Sequence, residues 1–222
     1  MSSAGLPPPR WLSFDCYGTL IDWRSGVRRA FRDLAHAAEE ETREMFEAWE
    51  RLQWEKIQGP YAPYEEIMWS SFRQVVEEFG HWCPGYAGEA FVDGLARWDP
   101  FPDVNPALRR LAPRHRLAII SNTGRHLLGG TIKNFPVRFD ALITAEDARA
   151  YKPDPRIFRL ALERMGCLPG EVAHVAFGAP YDLEPAHDLG MRVIYLNREG
   201  LPHSELPVEA EIQSLEDLTA MW

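Results

Sequence analysis

Asp15 stands in Phe14-Asp15-Cys16-Tyr17-Gly18-Thr19-Leu20, where a short apolar run gives way to a Gly-Thr turn. A carboxylate placed there can act as a nucleophile and form an ester intermediate, provided that its line of attack is fixed and its charge is held. An isolated Asp more often caps its loop, but this one has company. Ser121-Asn122, Lys152 in Tyr151-Lys152-Pro153-Asp154-Pro155, and Asp182 each fall at the end of a separate predicted strand or in the turn after it. One active site gathers residues from such places, because parallel α/β sheets bind their ligands at the carboxyl ends of the strands.

The elements that must position these residues are legible in the hydrophobic pattern. Trp11 to Phe14, Leu117 to Ile120, Ala141 to Ile143, Val172 to Phe177 and Val193 to Leu196 read as buried strands, each running into a polar or glycine residue. Helical stripes lie between them. Asn105-Pro106 reads as a cap and first position, and Ile157, Phe158, Ala161, Leu162 and Met165 keep a helical face that Gly166 ends. Strands alternating with helices after residue 100 predict a parallel α/β core. Residues 24–98 differ: Met45, Trp49, Leu52 and then Met68, Phe72, Val75, Phe79 keep helical spacing, and strand runs are missing. The expected architecture is a Rossmann-like core of residues 1–23 and 99–222, with a helical cap of residues 24–98 inserted after the first strand. Such an insertion follows the first strand's loop directly and is placed to act as a lid.

Twenty-four basic residues against 33 acidic ones give a formal charge of −9, which argues against a nucleic-acid or anionic-membrane surface. No run of about 18 apolar residues suggests a membrane helix. Cys16, Cys83 and Cys167 form neither a C-x-x-C pair nor an even disulfide set. With the start MSSAGLPPPR, which lacks the apolar stretch of a secretory signal, they predict a cytoplasmic protein.

The ordered set of Asp15 with Gly18-Thr19-Leu20, then Ser121, Lys152 and an acidic loop holding Asp182, resembles the haloacid dehalogenase-like hydrolase superfamily. The resemblance spans nearly the whole chain. It implies that Asp15 is the nucleophile, that Thr19 braces its loop, that Ser121 and Asn122 line the substrate cavity, and that Lys152 holds the nucleophile's charge. Phosphatases of this superfamily carry a second Asp two residues after the nucleophile and an acidic residue early in the last motif that holds Mg²⁺. Here Tyr17 takes the first position, and His174-Val175-Ala176-Phe177-Gly178 leaves Asp182 alone in the second. A hard divalent ion prefers several oxygen ligands, so no metal or other cofactor is expected.

Tyr17, Ser121-Asn122, Tyr151-Lys152-Pro153-Asp154-Pro155 and Leu196-Asn197-Arg198 are similar to the L-2-haloacid dehalogenase branch. That resemblance implies displacement of halide from a small 2-haloacid by Asp15, then hydrolysis of the ester with Asp182 activating or orienting water. It also implies a cap arginine for the substrate carboxylate or halide, for which Arg51 is the candidate against an ordinary pairing with Glu47 or Glu55. The chain departs from the branch where Ala176 to Pro180 precede Asp182 and where Phe158 replaces a tyrosine. Two alternatives stay open: a phosphatase with an incomplete metal site, and a fold-retaining binding protein that turns over weakly. The resemblance also leaves a homodimer open. Trp49, Trp54 and Trp69 are candidates to wall a pocket, although aromatics at helical spacing are more often core. Cys16 is expected to point away from Asp15 into the core, His126 to be solvated, and Asp22 and Asp154 to cap turns.

Overall fold

The computed structural model describes residues 7–200 and 206–222; residues 1–6 of the proline-rich start lie outside them. In chain order the first elements are β1 (Trp11–Phe14), α1 (Trp23–Ala35), α2 (Thr42–Ile57), α3 (Tyr64–Glu78), α4 (Ala87–Gly94) and α5 (Val104–Leu111). There follow β2 (Arg116–Ser121), α6 (Arg125–Thr131), β3 (Ala141–Thr144), α7 (Ala145–Ala148), α8 (Pro155–Met165) and β4 (Val172–Ala176). The last are α9 (Glu184–Asp188), β5 (Arg192–Leu196), β6 (Ala210–Ile212) and α10 (Leu215–Thr219). They divide into two compact units.

The first unit comprises the described residues of Met1–Ile21, Pro100–Asn122 and Phe135–Trp222. Its six strands pair in the order β3-β2-β1-β4-β5-β6, and every pairing is parallel. This is the Rossmann-like order, and it puts the topological switch point between β1 and β4. All four residues of β1 and all five of β4 are buried, so these central strands read as apolar runs without alternation, as strands covered on both faces must. β6 escaped the sequence reading because three residues, with Glu211 exposed between Ala210 and Ile212, carry no usable period.

Local chemistry sets the helix ends. Asp154 caps α8 by accepting from Arg156 N at 2.9 Å, Pro155 opens the helix, and Gly166 closes it in the left-handed region at φ 59°. Asn105 is not the cap it was expected to be. α5 begins two residues earlier than expected, at Val104, so that Asn105 and Pro106 lie in its first turn, where a missing N–H costs nothing.

The second unit comprises Asp22–Asp99 with Thr123–Asn134 and is wholly helical. Asp22 caps α1, accepting from Ser25 N at 3.2 Å. Stacked rings fill the interior: Phe31 on Phe72 at 4.9 Å, Phe72 on Phe91 at 4.4 Å, and Trp49 edge-on to Phe91 at 5.6 Å. Trp49 is therefore core and not a pocket wall, while Trp54 is partly buried and Trp69 lies against Gly88. The segment 123–134, which the sequence reading assigned to the core, joins this unit. Asn134 Nδ2 donates to the carbonyls of Ala96 and Trp98, and Gly130 leaves room for the Ala96 methyl.

Candidate active site

Strand alternation sends Ser13 and Asp15 to the same side of β1, and the parallel register sets Ser13 beside His174 of β4. Asp15 follows the last residue of β1, and its N–H still donates to Val175 O at 3.1 Å, which fixes its backbone before the chain turns away. The turn closes on itself through Leu20 N and Ile21 N, both donating to Cys16 O, and through Gly18 N donating to Ile21 O. Gly18 sits at φ 96°, and a Cβ there would come within 2.3 Å of the Phe177 ring, so both conformation and space demand glycine.

Thr19 reaches back from this turn. Its hydroxyl donates to Asp15 Oδ2 at 2.9 Å and accepts from Phe177 N at 3.3 Å, tying the β1 loop to the β4 loop. Lys152 holds the other oxygen. Its ammonium donates to Asp15 Oδ1 at 2.8 Å, to Asp182 Oδ1 at 2.6 Å and to Ile120 O at 3.1 Å, using its three donors inside the protein. Asp15, Thr19, Lys152 and Asp182 thus form one buried cluster, as the order of the motifs led us to expect.

The electrostatics follow from that burial. Desolvation pushes the Asp15 carboxyl above the usual carboxylate range, Lys152 opposes the shift, and the second carboxylate at Asp182 adds to it. Asp182 is equally buried, but there Lys152 and His174 outweigh desolvation and hold it below the usual range. For Lys152 burial favours the neutral amine, yet the two carboxylates prevail and raise its pKa. Lys152 and Asp182 therefore form the firm ion pair, leaving Asp15 the more easily protonated carboxylate. Cys16 is fully buried, and desolvation, then Asp15, push its thiol well up, which makes it the inert core residue that alternation implied.

The remaining expected residues occupy different places. Asn122 was expected to line the substrate cavity, but its amide is engaged with the Lys152 backbone: Oδ1 accepts from Lys152 N at 2.6 Å and Nδ2 donates to Lys152 O at 3.2 Å. It aims the lysine. Ser121 is buried at the end of β2, and its hydroxyl has no partner among the described residues. Tyr17 is half-buried in the turn after Asp15 and bridges to Ile21. Arg51 belongs to the helical unit, exposed on α2, and His126 is exposed on α6.

Two contributors, Arg198 and His174, lie in the quoted motifs without an assigned role. Arg198 donates to Thr19 O at 3.0 Å and to both oxygens of Asp103 at 2.9 and 3.0 Å, with its guanidinium 4.2 Å from the Phe101 ring centre, so it braces the turn from behind. His174, fully buried, lies between Ser13 and Asp182. The signal for the second was present: Ser13 and His174 are polar residues inside otherwise apolar strands, and Ser13 precedes Asp15 by the strand period of two.

A profile of the haloacid dehalogenase-like hydrolases matches residues 9–190, most of the chain. The chain belongs to that family. Among curated relatives it is 28% identical to (S)-2-haloacid dehalogenase 1 of Pseudomonas sp. (strain CBS-3), over 96% of each chain. It is 30% identical to haloacid dehalogenase-like hydrolase domain-containing protein 3 of Danio rerio, again over 96% of each. Among solved structures, one described as a dehalogenase superposes with a TM-score of 0.88 at 25% identity, covering 98% of this chain and 99% of its own. Members that transfer phosphoryl groups use Mg²⁺, and this family member's residues do not fit such an ion. Residues 174–178 bring no carboxylate ahead of Asp182, and the Lys152 ammonium takes Oδ1 of both Asp15 and Asp182. Among the described residues no group of three or more His, Cys, Asp or Glu is arranged to hold a metal, and no helix is long and apolar enough to cross a membrane.

Proposed function

We propose that the protein hydrolyses a small 2-haloacid through an ester on Asp15, without a metal. The observation that carries this reading is the single ammonium of Lys152 bridging Asp15 and Asp182 in a buried site to which residues 174–178 add no carboxylate. In the first step an Asp15 oxygen bonds to C2 of the acid, the carbon–halogen bond breaks, and halide leaves with the electron pair. A buried carboxylate has lost part of its hydration shell, which favours attack at carbon, and Lys152 and Thr19 hold it in line. In the second step water attacks the carboxyl carbon of Asp15, Asp182 takes its proton, and the ester C–O bond breaks to free the 2-hydroxy acid. Displacement inverts C2 and ester cleavage does not touch it, so an (S)-2-haloacid yields the (R)-hydroxy acid.

In this reading Ser121 and Tyr17 contact the substrate, and the helical unit acts as the cap that supplies Arg51 for its carboxylate or the departing halide. The relative named as an (S)-2-haloacid dehalogenase supports the substrate class. The test is a panel of 2-chloro, 2-bromo and fluoro acids beside phosphomonoesters, each with EDTA and with added Mg²⁺. Halide release that survives EDTA is expected. Activity confined to phosphomonoesters and restored by Mg²⁺ would overturn the reading, as would ligand binding with no single-turnover ester.

A further inference from the structure

The buried network continues behind Asp182. Asp182 Oδ1 accepts from Lys152 Nζ at 2.6 Å and lies 3.1 Å from His174 Nε2, while His174 Nδ1 lies 2.9 Å from the Ser13 hydroxyl. An ionised carboxylate has no proton to give, so Nε2 carries one and donates it. The Ser13 hydroxyl faces Nδ1, and to a neutral ring it donates there, which selects the Nε2–H tautomer. Phe158 packs edge-on against the imidazole at 5.5 Å and fixes its plane. Both donors to Asp182 thus converge on Oδ1, and Oδ2, also buried, has no donor among the described residues. An acceptor left unpaired inside a protein is costly, so one retained beside a nucleophile points to a donor that arrives during the reaction.

We propose that His174 is a positioning residue for ester hydrolysis: with Ser13 behind it, it locks the Asp182 carboxylate so that Oδ2 receives the proton of the attacking water. This rests on the ester reading above. The new bond forms between water oxygen and the Asp15 carboxyl carbon, and one water proton passes to Asp182 Oδ2. The ester electron pair goes to the departing 2-hydroxy acid oxygen, which takes that proton back from Asp182. The second water proton leaves to solvent as Asp15 ionises again. His174 neither gains nor loses a proton, and it acts on the second step only.

The experiment is a single turnover of 2-chloropropionate with enzyme in excess, following chloride release for ester formation and lactate release for hydrolysis. In His174→Leu, chloride release is expected to slow by no more than about threefold and lactate release by at least about tenfold, as loss of one positioning hydrogen bond implies. The adduct then accumulates on the Asp15 peptide. His174→Gln, whose amide N–H can stand at the Nε2 position, should restore most of the second step, and Ser13→Ala should fall between. Equal slowing of both steps, or no advantage of Gln over Leu, overturns the proposal and leaves the ester reading intact. In the substrate-free protein, ¹⁵N spectroscopy of the ring should show Nε2 protonated and Nδ1 bare, and the opposite tautomer overturns it without any turnover. If the wild type releases no halide from any 2-haloacid, the ester reading falls, and this proposal falls with it.

Discussion

Replacing Lys152 with alanine removes the one cation from a buried pair of carboxylates, and the structure sets the size of the effect. At the 2.8 Å of the Lys152–Asp15 contact, an effective dielectric constant of about 20 gives an attraction of about 6 kcal/mol. Much of that is offset by the desolvation of both partners, and breaking a buried pair on one side costs about 3–5 kcal/mol in practice. Taking the lower figure, about 3 kcal/mol on the chemical step corresponds to a rate loss of about 150-fold. The same loss acts on the ionisation of Asp15, and its sign is upward, because burial already raises this carboxyl and Lys152 is the largest cause opposing it. Without the lysine the two buried carboxylates repel each other, so a proton is held between them and Asp15 attacks only after that proton is lost. The assay is initial halide release from 2-chloropropionate across pH, for wild type and Lys152→Ala. The variant's acid limb should lie at higher pH than the wild type's, with at least about a hundredfold loss below it and partial recovery above it. Near-normal turnover with an unmoved limb would refute the argument and make Lys152 a purely structural residue.

Single turnover in ¹⁸O-water with excess enzyme should give unlabelled hydroxy acid and a mass gain confined to the Asp15 peptide, since water enters at the carboxyl carbon; label in the product alone would reassign Asp15 as a general base. Gly18→Ala should lose at least about 2 kcal/mol of stability in urea unfolding, because a left-handed residue is strained and its Cβ meets the Phe177 ring. A loss below about 0.5 kcal/mol would show that the ring moves freely and the turn tolerates a side chain. Trp49→Ala should destabilise the protein by about 3–5 kcal/mol through the cavity left among Trp23, Phe46 and Phe91, with a neutral outcome contradicting its place in the core.

The sequence by itself determined the parallel core and pointed to the residues around Asp15, because both rest on local signals. Apolar runs ending at Asp15, Ser121 and Thr144 show where strands stop, and a parallel sheet brings such stops to one edge whatever the strand order. Asp154, Pro155 and Gly166 likewise mark the ends of α8, since caps act through bonds to near neighbours. What only the tertiary structure decided depends on contacts between distant residues. Asn122 looked like a cavity residue, yet its amide is engaged with a backbone 30 positions away. Arg198 reaches the Thr19 carbonyl across 179 positions, and segment 123–134 joins the helical unit through carbonyls near Trp98. The division of charge between two carboxylates sharing one lysine also needed the fold. Composition counts the charges, but only three-dimensional burial and the imidazole of His174 beside Asp182, and not beside Asp15, make Asp182 the firmer anion and Asp15 the more easily protonated carboxylate.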